Sequence, residues 1–284
     1  MSVKVAKAVT AAGNVVGVLA DDGSFRPVLG ASNVSEVLRR AIDGSLDELM
    51  GDPVQPLEFL APVDAQEVWA AGVTYRRSRS AREQESQPTG AAVFYQSVYE
   101  ADRPELFFKA TAARVRGPGA AITVRADSDS TVPEPELAVW LDGDLRILGF
   151  ALGNDVTARD IEAANPLYLP QAKIYDGACA LGPFVLAADD PSAAADLVLK
   201  LCIERDGADV FVAEAPVADL RRPIQELVSW LGRDNSFVDG VVLLTGTGIV
   251  PPNDIHLCHG DVVSIAADGL GELRNPVRAG EGTP

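Results

Sequence analysis

Three carboxylates and one amine, spread over forty positions, are the side chains in this sequence best suited to do chemistry together. They are Glu134 and Glu136 in PEPELAV, Asp155 in GNDVTARD and Lys173 in LPQAKIYDGA. Two glutamates at i and i+2 share one face of a strand, because strand side chains alternate. A carboxylate at the end of a neighbouring strand would complete a facial trio of hard oxygens. Such a trio suits Mg²⁺, which keeps waters or substrate oxygens in its remaining positions. An amine placed across the metal is a natural proton-transfer group. Glu-x-Glu beside prolines is also the pattern of a solvated strand edge. The flanking residues weigh against that reading: LAVWL follows the glutamates and ILGFAL precedes Asp155. These apolar runs put the carboxylates at the ends of buried strands, where unpaired charge is costly.

Other residues offer supporting chemistry. Thr245-Gly246-Thr247-Gly248 follows the apolar run VVLL. Glycines there let the backbone approach a ligand, and the hydroxyl of Thr247 and the amides can hold a carboxylate. A plain turn fits the same residues. Lys109, near the end of LFFKA, is either a second cation near the site or a strand-end salt-bridge partner. Gln171, two residues before Lys173, is a candidate for orienting a water on the metal. Arg159 and Asp160 look structural, with Arg159 paired to an acidic neighbour. His256, Cys258 and His259 supply only three soft ligands in a loop, closer to a solvated turn than to a zinc site. Cys179, Cys202 and Cys258 show no CxxC spacing and read as free thiols in a reducing compartment.

The elements that must position these residues are mostly short and β-rich: WAAGV, LFFKAT, LAVWL, ILGFAL, PFVLA, LVLKLCIE, VVLLTG and DVVSIAA. Asp-Gly turns punctuate them at 142, 206 and 239. Helical spacing is clear only over Tyr75 to Glu85 and Pro223 to Gly232 in this part. The pattern lacks the strand–helix alternation of a doubly wound sheet or a TIM barrel. Residues 1–60 read as a small α+β unit. It holds strands at Val3 to Val9 and Val15 to Ala20 around a Gly13-Asn14 turn, then a helix over Val34 to Met50 weakened by Gly44. Residues 61–284 form the main domain, in which Gln84 to Gly90 is a loop.

Composition sets outer bounds. The chain has 284 residues, 47% of them hydrophobic, enough for a sizeable core. Its net charge of −17 argues against nucleic acid and anionic membranes as partners, since both need a basic patch. The apolar runs are strand-sized, short of a membrane span. The start MSVKVAKAVT has no apolar signal region, so a cytoplasmic protein is expected.

Six blocks in order, RPELFFKAT, PEPELAVWL, LGFALGNDVTARD, QAKIYDGACALGP, VVLLTGTGIVPP and GDVVSIAADGLGELRNPV, resemble the fumarylacetoacetate hydrolase superfamily from about Ala61 to Val277. Within it, STVPEPELAV and NPLYLPQAKIYDG are most similar to the 2-keto-3-deoxy-D-arabinonate dehydratases. The resemblance implies an α+β, predominantly β fold with a mixed β-roll catalytic domain, Mg²⁺ with Mn²⁺ as substitute, and a homodimer or homotetramer. It makes Glu134, Glu136 and Asp155 metal ligands and Lys173 a catalytic amine, and sets Glu105 beside the metal as acid/base. It also favours Thr247 and Gly246 as the holders of a substrate carboxylate.

The activity implied is loss of water from a 2-keto-3-deoxy-pentonate to give 2,5-dioxopentanoate, in sugar-acid catabolism. Lys173 would take the C3 proton and Glu105 would protonate the leaving C4 hydroxyl. The alternative is metal-dependent carbon–carbon hydrolysis of a 2,4-diketo acid. Hydrolases of the superfamily place a water-activating histidine shortly after a GVNYRDH-like segment. Here the segment is Gly72-Val73-Thr74-Tyr75-Arg76-Arg77-Ser78, with serine in that place. A Schiff-base aldolase would also use a lysine, but such enzymes are usually barrels.

Overall fold

The computed structural model describes residues 3–76 and 97–282. The Gln84 to Gly90 loop, Ser78 and most of the helix expected from Tyr75 lie outside the described residues. Every apolar run singled out in the main domain forms a strand, and the protein is predominantly β.

One large sheet runs, in spatial order, through Phe25–Pro27, Gly13–Leu19, Lys4–Thr10, Cys179–Ala187, Ile147–Asp155, Pro135–Leu141, Val241–Leu244, Glu67–Gly72 and Glu105–Ala110. A second sheet of five strands, built around Val198–Arg205 and Val262–Ala267, packs against it. The Pro135–Leu141 strand is buried at every position, and its alternation shows why. Leu137, Val139 and Leu141 join the core shared with Leu201, Ile203, Val263 and Ile265 of the second sheet. Ala138 and Trp140 face the opposite way, into a core shared with Val34, Val37 and Leu38 of the Val34–Ile42 helix. Both faces of the central strands are therefore covered, and an apolar run replaces the usual alternation.

Residues 4–60 add to the same sheet as the rest of the chain: Lys4 and Val5 pair antiparallel with Leu186 and Val185. Their helix starts where Asn33 accepts from the Glu36 amide at 2.8 Å, an N-cap. It ends at Ile42, well short of the expected Met50, and Gly44 follows at φ +70°. The first hairpin turns at Ala11-Ala12 rather than Gly13-Asn14, because Thr10 already pairs with Gly13. The Thr10 hydroxyl, which donates to Gly13 O at 3.0 Å, closes that turn.

Between Asp155 and Lys173, two helices escaped the sequence reading, Arg159–Ala164 and Leu169–Lys173. At six and five residues they are too short to show a helical hydrophobic period.

Five adjacent strands bring functional residues to one edge of the large sheet. Asp155 ends one strand and Glu136 lies near the start of its antiparallel neighbour. Next come Gly246 and Thr247, just beyond the end of Val241–Leu244, and then Gly72 at the end of a strand parallel to it. Glu105 opens the fifth. A flat sheet would separate the first and fifth by roughly 19 Å, at about 4.8 Å per strand. Yet Lys109 Nζ, on the fifth strand, lies 2.5 Å from Asp155 Oδ1. The sheet curls, and a buried ion pair ties its two sides together. Replacing Lys109 by Met is expected to lower unfolding stability by about 3–5 kcal/mol, the range for breaking one partner out of a buried pair. The shift of the denaturant midpoint measures it.

Candidate active site and metal centre

Glu134 and Asp155 are joined across the strand pair by the bond from the Asp155 amide to Glu134 O, 2.9 Å. Glu136, two residues along, stands opposite Gly153, which contributes no side chain. The three carboxylates therefore share one face of two paired strands. Their ligand atoms all lie within 4.8 Å of one another, and the residues are only 3%, 2% and 1% exposed. Among the described residues this is the one group with metal-ligand geometry.

Two lysines balance part of this charge. Lys173 Nζ donates to Glu134 Oε2 at 2.8 Å, to Asp155 Oδ2 at 2.9 Å and to Thr157 Oγ1 at 2.8 Å. It also lies 5.4 Å from the centre of the Phe107 ring, so it faces the Glu105–Ala110 strand across the pocket. Lys109 donates to the carbonyls of Val156 at 2.9 Å and Lys173 at 2.6 Å, besides its contact with Asp155. Its donors are all engaged inside the wall. Lys109 is thus a structural clamp in this geometry, the salt-bridge partner of its two expected roles, and does not offer a donor to a substrate.

The balance of charge is incomplete. Burial, and then the charges of Asp155 and Glu134, push the Glu136 carboxyl well above the usual carboxylate range. Lys173 and the Gly246 amide act in the opposite direction without offsetting it. Asp155 Oδ1 is buried against Lys109 Nζ at 2.5 Å, so one oxygen of each lysine-paired carboxylate is already close to a cation. A set of three hard carboxylate donors carrying more negative charge than two lysines offset fits a divalent cation such as Mg²⁺.

The pocket over the trio is lined by Glu105, Phe107, Glu162, Lys173, Gly246 and Thr247, together with the Ala71–Val73 backbone. Gly246 binds Glu136 directly, its amide donating to Oε2 at 2.6 Å. Its φ of +93° and the Thr74 hydroxyl, 1.9 Å from where a Cβ would stand, leave room for glycine alone. Thr247 is 5% exposed, and its hydroxyl donates to Ile249 O and accepts from the Ile249 amide, both at 3.1 Å. Glu105 is the cross-strand partner of Gly72. Its carboxylate folds over that glycine, with Oε2 2.0 Å from where a Cβ would be.

Several expected residues stand elsewhere. Gln171 is exposed and lines a separate surface depression with Asp160 and Tyr168, so it does not face the trio. A side chain two positions from Lys173 on a helix points about 200° away around the axis. Arg159 donates to Pro251 O at 2.9 Å, pinning the loop beyond Thr247. Asp160 accepts from the Ser128 hydroxyl and the Asp129 amide. Neither His256 nor His259 lines the pocket; His259 Nδ1 instead accepts from the Ala279 amide at 3.3 Å. Cys179 is buried, which pushes its thiol up to about 12 and leaves it unreactive at neutral pH. Glu162 was missed by the sequence reading. It sits on one of the unpredicted short helices, and TARDIE carries no motif signal of its own.

The sequence matches the family model described as Fumarylacetoacetate (FAA) hydrolase C-terminal over residues 67–278. It is 42% identical over 262 residues to a probable 2-keto-3-deoxyxylonate dehydratase of Haloferax volcanii, covering 90% of this chain and 89% of that one. It is 41% identical over 264 residues to the 2-dehydro-3-deoxy-D-arabinonate dehydratase of Saccharolobus solfataricus, covering 91% and 88%. The fold superposes on a 2-keto-3-deoxy-D-arabinonate dehydratase complexed with magnesium and 2,5-dioxopentanoate. That match has a TM-score of 0.85 and 36% identity, and covers 98% of this chain and 99% of the other.

The fit of Glu105 over Gly72 yields a sharp test. Gly72→Ala should displace the Glu105 carboxylate; with Glu105 in the acid/base role that the family resemblance implies, turnover would fall by on the order of 10²-fold, the lower range for losing such a group. Mg²⁺ affinity measured by calorimetry should stay near that of the unaltered protein, because no trio residue moves.

Proposed function

The chain belongs to the fumarylacetoacetate hydrolase family, and we propose that it is a hydro-lyase which removes water from a 2-keto-3-deoxy-pentonate to give 2,5-dioxopentanoate. The observation that carries this reading is the pocket itself: a buried carboxylate trio with an amine and a separate carboxylic group beside it. Two relatives more than 40% identical that bear dehydratase names, and a structural neighbour holding magnesium with 2,5-dioxopentanoate, support it.

Glu134, Glu136 and Asp155 would hold Mg²⁺, or Mn²⁺ in its place. When bound, the cation supplies Lewis-acid polarisation of the substrate's C2 carbonyl, which acidifies C3. The remaining work falls to the chain. The Thr247-Gly246 turn lines the pocket, and for Thr247 to hold a substrate carboxylate its hydroxyl would turn from Ile249 O to the substrate. Lys173, as the neutral amine, accepts the C3 proton, and the ammonium so formed is held by Thr157, Glu134 and Asp155. Glu105, on the fifth strand of the edge, delivers a proton to the departing C4 hydroxyl. Gly72 keeps that carboxylate at the pocket wall. The carbon skeleton is unbroken and one water leaves, so no redox cofactor enters the balance.

Carbon–carbon hydrolysis is the weaker reading, because no histidine lines the pocket among the described residues. The net charge of −17 weighs against nucleic acid as a partner, and no helix among the described residues is long and apolar enough to cross a membrane. A homodimer or homotetramer in a reducing cytoplasm completes the proposal, with three free cysteines in keeping.

Product analysis tests the reading. With Mg²⁺ and a 2-keto-3-deoxy-pentonate, the protein should form 2,5-dioxopentanoate, and in D₂O the new methylenes should carry deuterium. Lys173→Met should cut turnover by roughly 10²–10⁴-fold. Pyruvate among the products would show carbon–carbon cleavage instead, and a borohydride-trapped adduct on Lys173 would show imine chemistry. Either result overturns the proposal.

A further inference from the structure

The proposed reaction asks for more proton transfers than Lys173 and Glu105 account for. Loss of the C3 proton and the C4 hydroxyl leaves 5-hydroxy-2-oxopent-3-enoate, a conjugated enone with its alcohol still at C5. The aldehyde of 2,5-dioxopentanoate lies one isomerisation further on. A proton must leave C5, its electron pair forming a C4–C5 double bond while the C3–C4 pair shifts to C2–C3 and the carbonyl pair to oxygen. A proton then returns to C3 and another reaches C4 as the C5 hydroxyl loses its own. C5 is oxidised and C3 and C4 are reduced within one molecule, so no outside oxidant is needed.

The group that took the C3 proton is the natural one to return it, which fixes Lys173 at C3. The C5 end needs its own base. Besides Lys173, Glu105 and the metal-holding trio, one titratable side chain among the described residues lines the pocket, and it is Glu162. It is 4% exposed, an unusual setting for a glutamate on a six-residue helix. It arises from the segment that leads from Asp155 to Lys173, whereas Glu105 comes from the far side of the curled edge. The two carboxylates thus line the pocket from different segments of the fold.

Resting on the dehydratase reading above, we propose that Glu162 is a second acid/base residue, which removes the C5 proton and converts the enone formed by dehydration into the aldehyde.

Glu162→Gln keeps the size and polarity of the side chain and removes its ability to carry the proton. Reaction of this variant with the 2-keto-3-deoxy-pentonate, followed by NMR and by the ultraviolet absorption of the conjugated enone, is the test. The expected result is that 5-hydroxy-2-oxopent-3-enoate accumulates and aldehyde formation slows by on the order of 10²-fold. Mn²⁺ affinity, read by electron paramagnetic resonance, should stay within a few-fold of wild type. Glu162→Asp, which keeps a carboxylate, should restore part of the aldehyde step. Aldehyde formation by Glu162→Gln at the wild-type rate would overturn the assignment and leave Glu105 serving both steps. So would a variant in which substrate loss and aldehyde formation slow together with no enone. A wild type that makes no 2,5-dioxopentanoate would overturn the dehydratase reading itself, which separates the two failures.

Discussion

Crowded negative charge in a buried place is the constraint on which the rest of this molecule depends. Three carboxylates at most 3% exposed hold their oxygens within 4.8 Å of one another. At an effective dielectric of about 20, each like-charged pair at that range repels by on the order of 4 kcal/mol. The fold answers with two buried ammonium groups, one on each side of Asp155. Even so, the Glu136 carboxyl is pushed well above the ordinary carboxylate range, chiefly by burial. A site so arranged is short of positive charge, and that shortage is what a divalent cation relieves.

The same cations organise the backbone. Lys109 bonds the carbonyls of Val156 and Lys173, so the residue that neutralises Asp155 also fixes the chain that presents the amine. Its place on the last of five strands ties that strand to the first of them, so this part of the sheet curls. The curl encloses the pocket, placing Glu105 on one wall with Lys173 and Glu162 on the other. Gly72 and Gly246 make room where a side chain would collide with Glu105 and with Thr74 beside the pocket. Breaking the clamp would loosen the sheet and misplace the amine together.

Much of this was legible in the sequence, for a definite reason. Strands buried on both faces produce unbroken apolar runs, so LAVWL and ILGFAL marked their own ends and the carboxylates lying there. The i, i+2 spacing of Glu134 and Glu136 needed only strand alternation. What could not be read was set by distance along the chain. Lys109 looked equally suited to substrate or to a salt bridge, since its three partners lie 46 or more residues away. Gln171 was grouped with Lys173 by proximity, yet one short helix turns the two apart. Glu162 gave no signal because helices of five or six residues are fixed by tertiary contacts and leave no period in the sequence. The helix expected to reach Met50 ended early, because a left-handed glycine at 44 stops it.

Binding of Mg²⁺ to the metal-free protein tests the central claim most directly, because it probes the charge deficit without any assumption about substrate. Thermal unfolding measured across a Mg²⁺ series should show stability rising with concentration, by about 2.7 kcal/mol at a hundred times the dissociation constant. Glu136→Gln, which removes one ligand charge while keeping an acceptor for the Gly246 amide, should lose most of that dependence. Wild-type protein whose unfolding does not respond to Mg²⁺, or a Glu136→Gln variant that responds as strongly, would contradict the account.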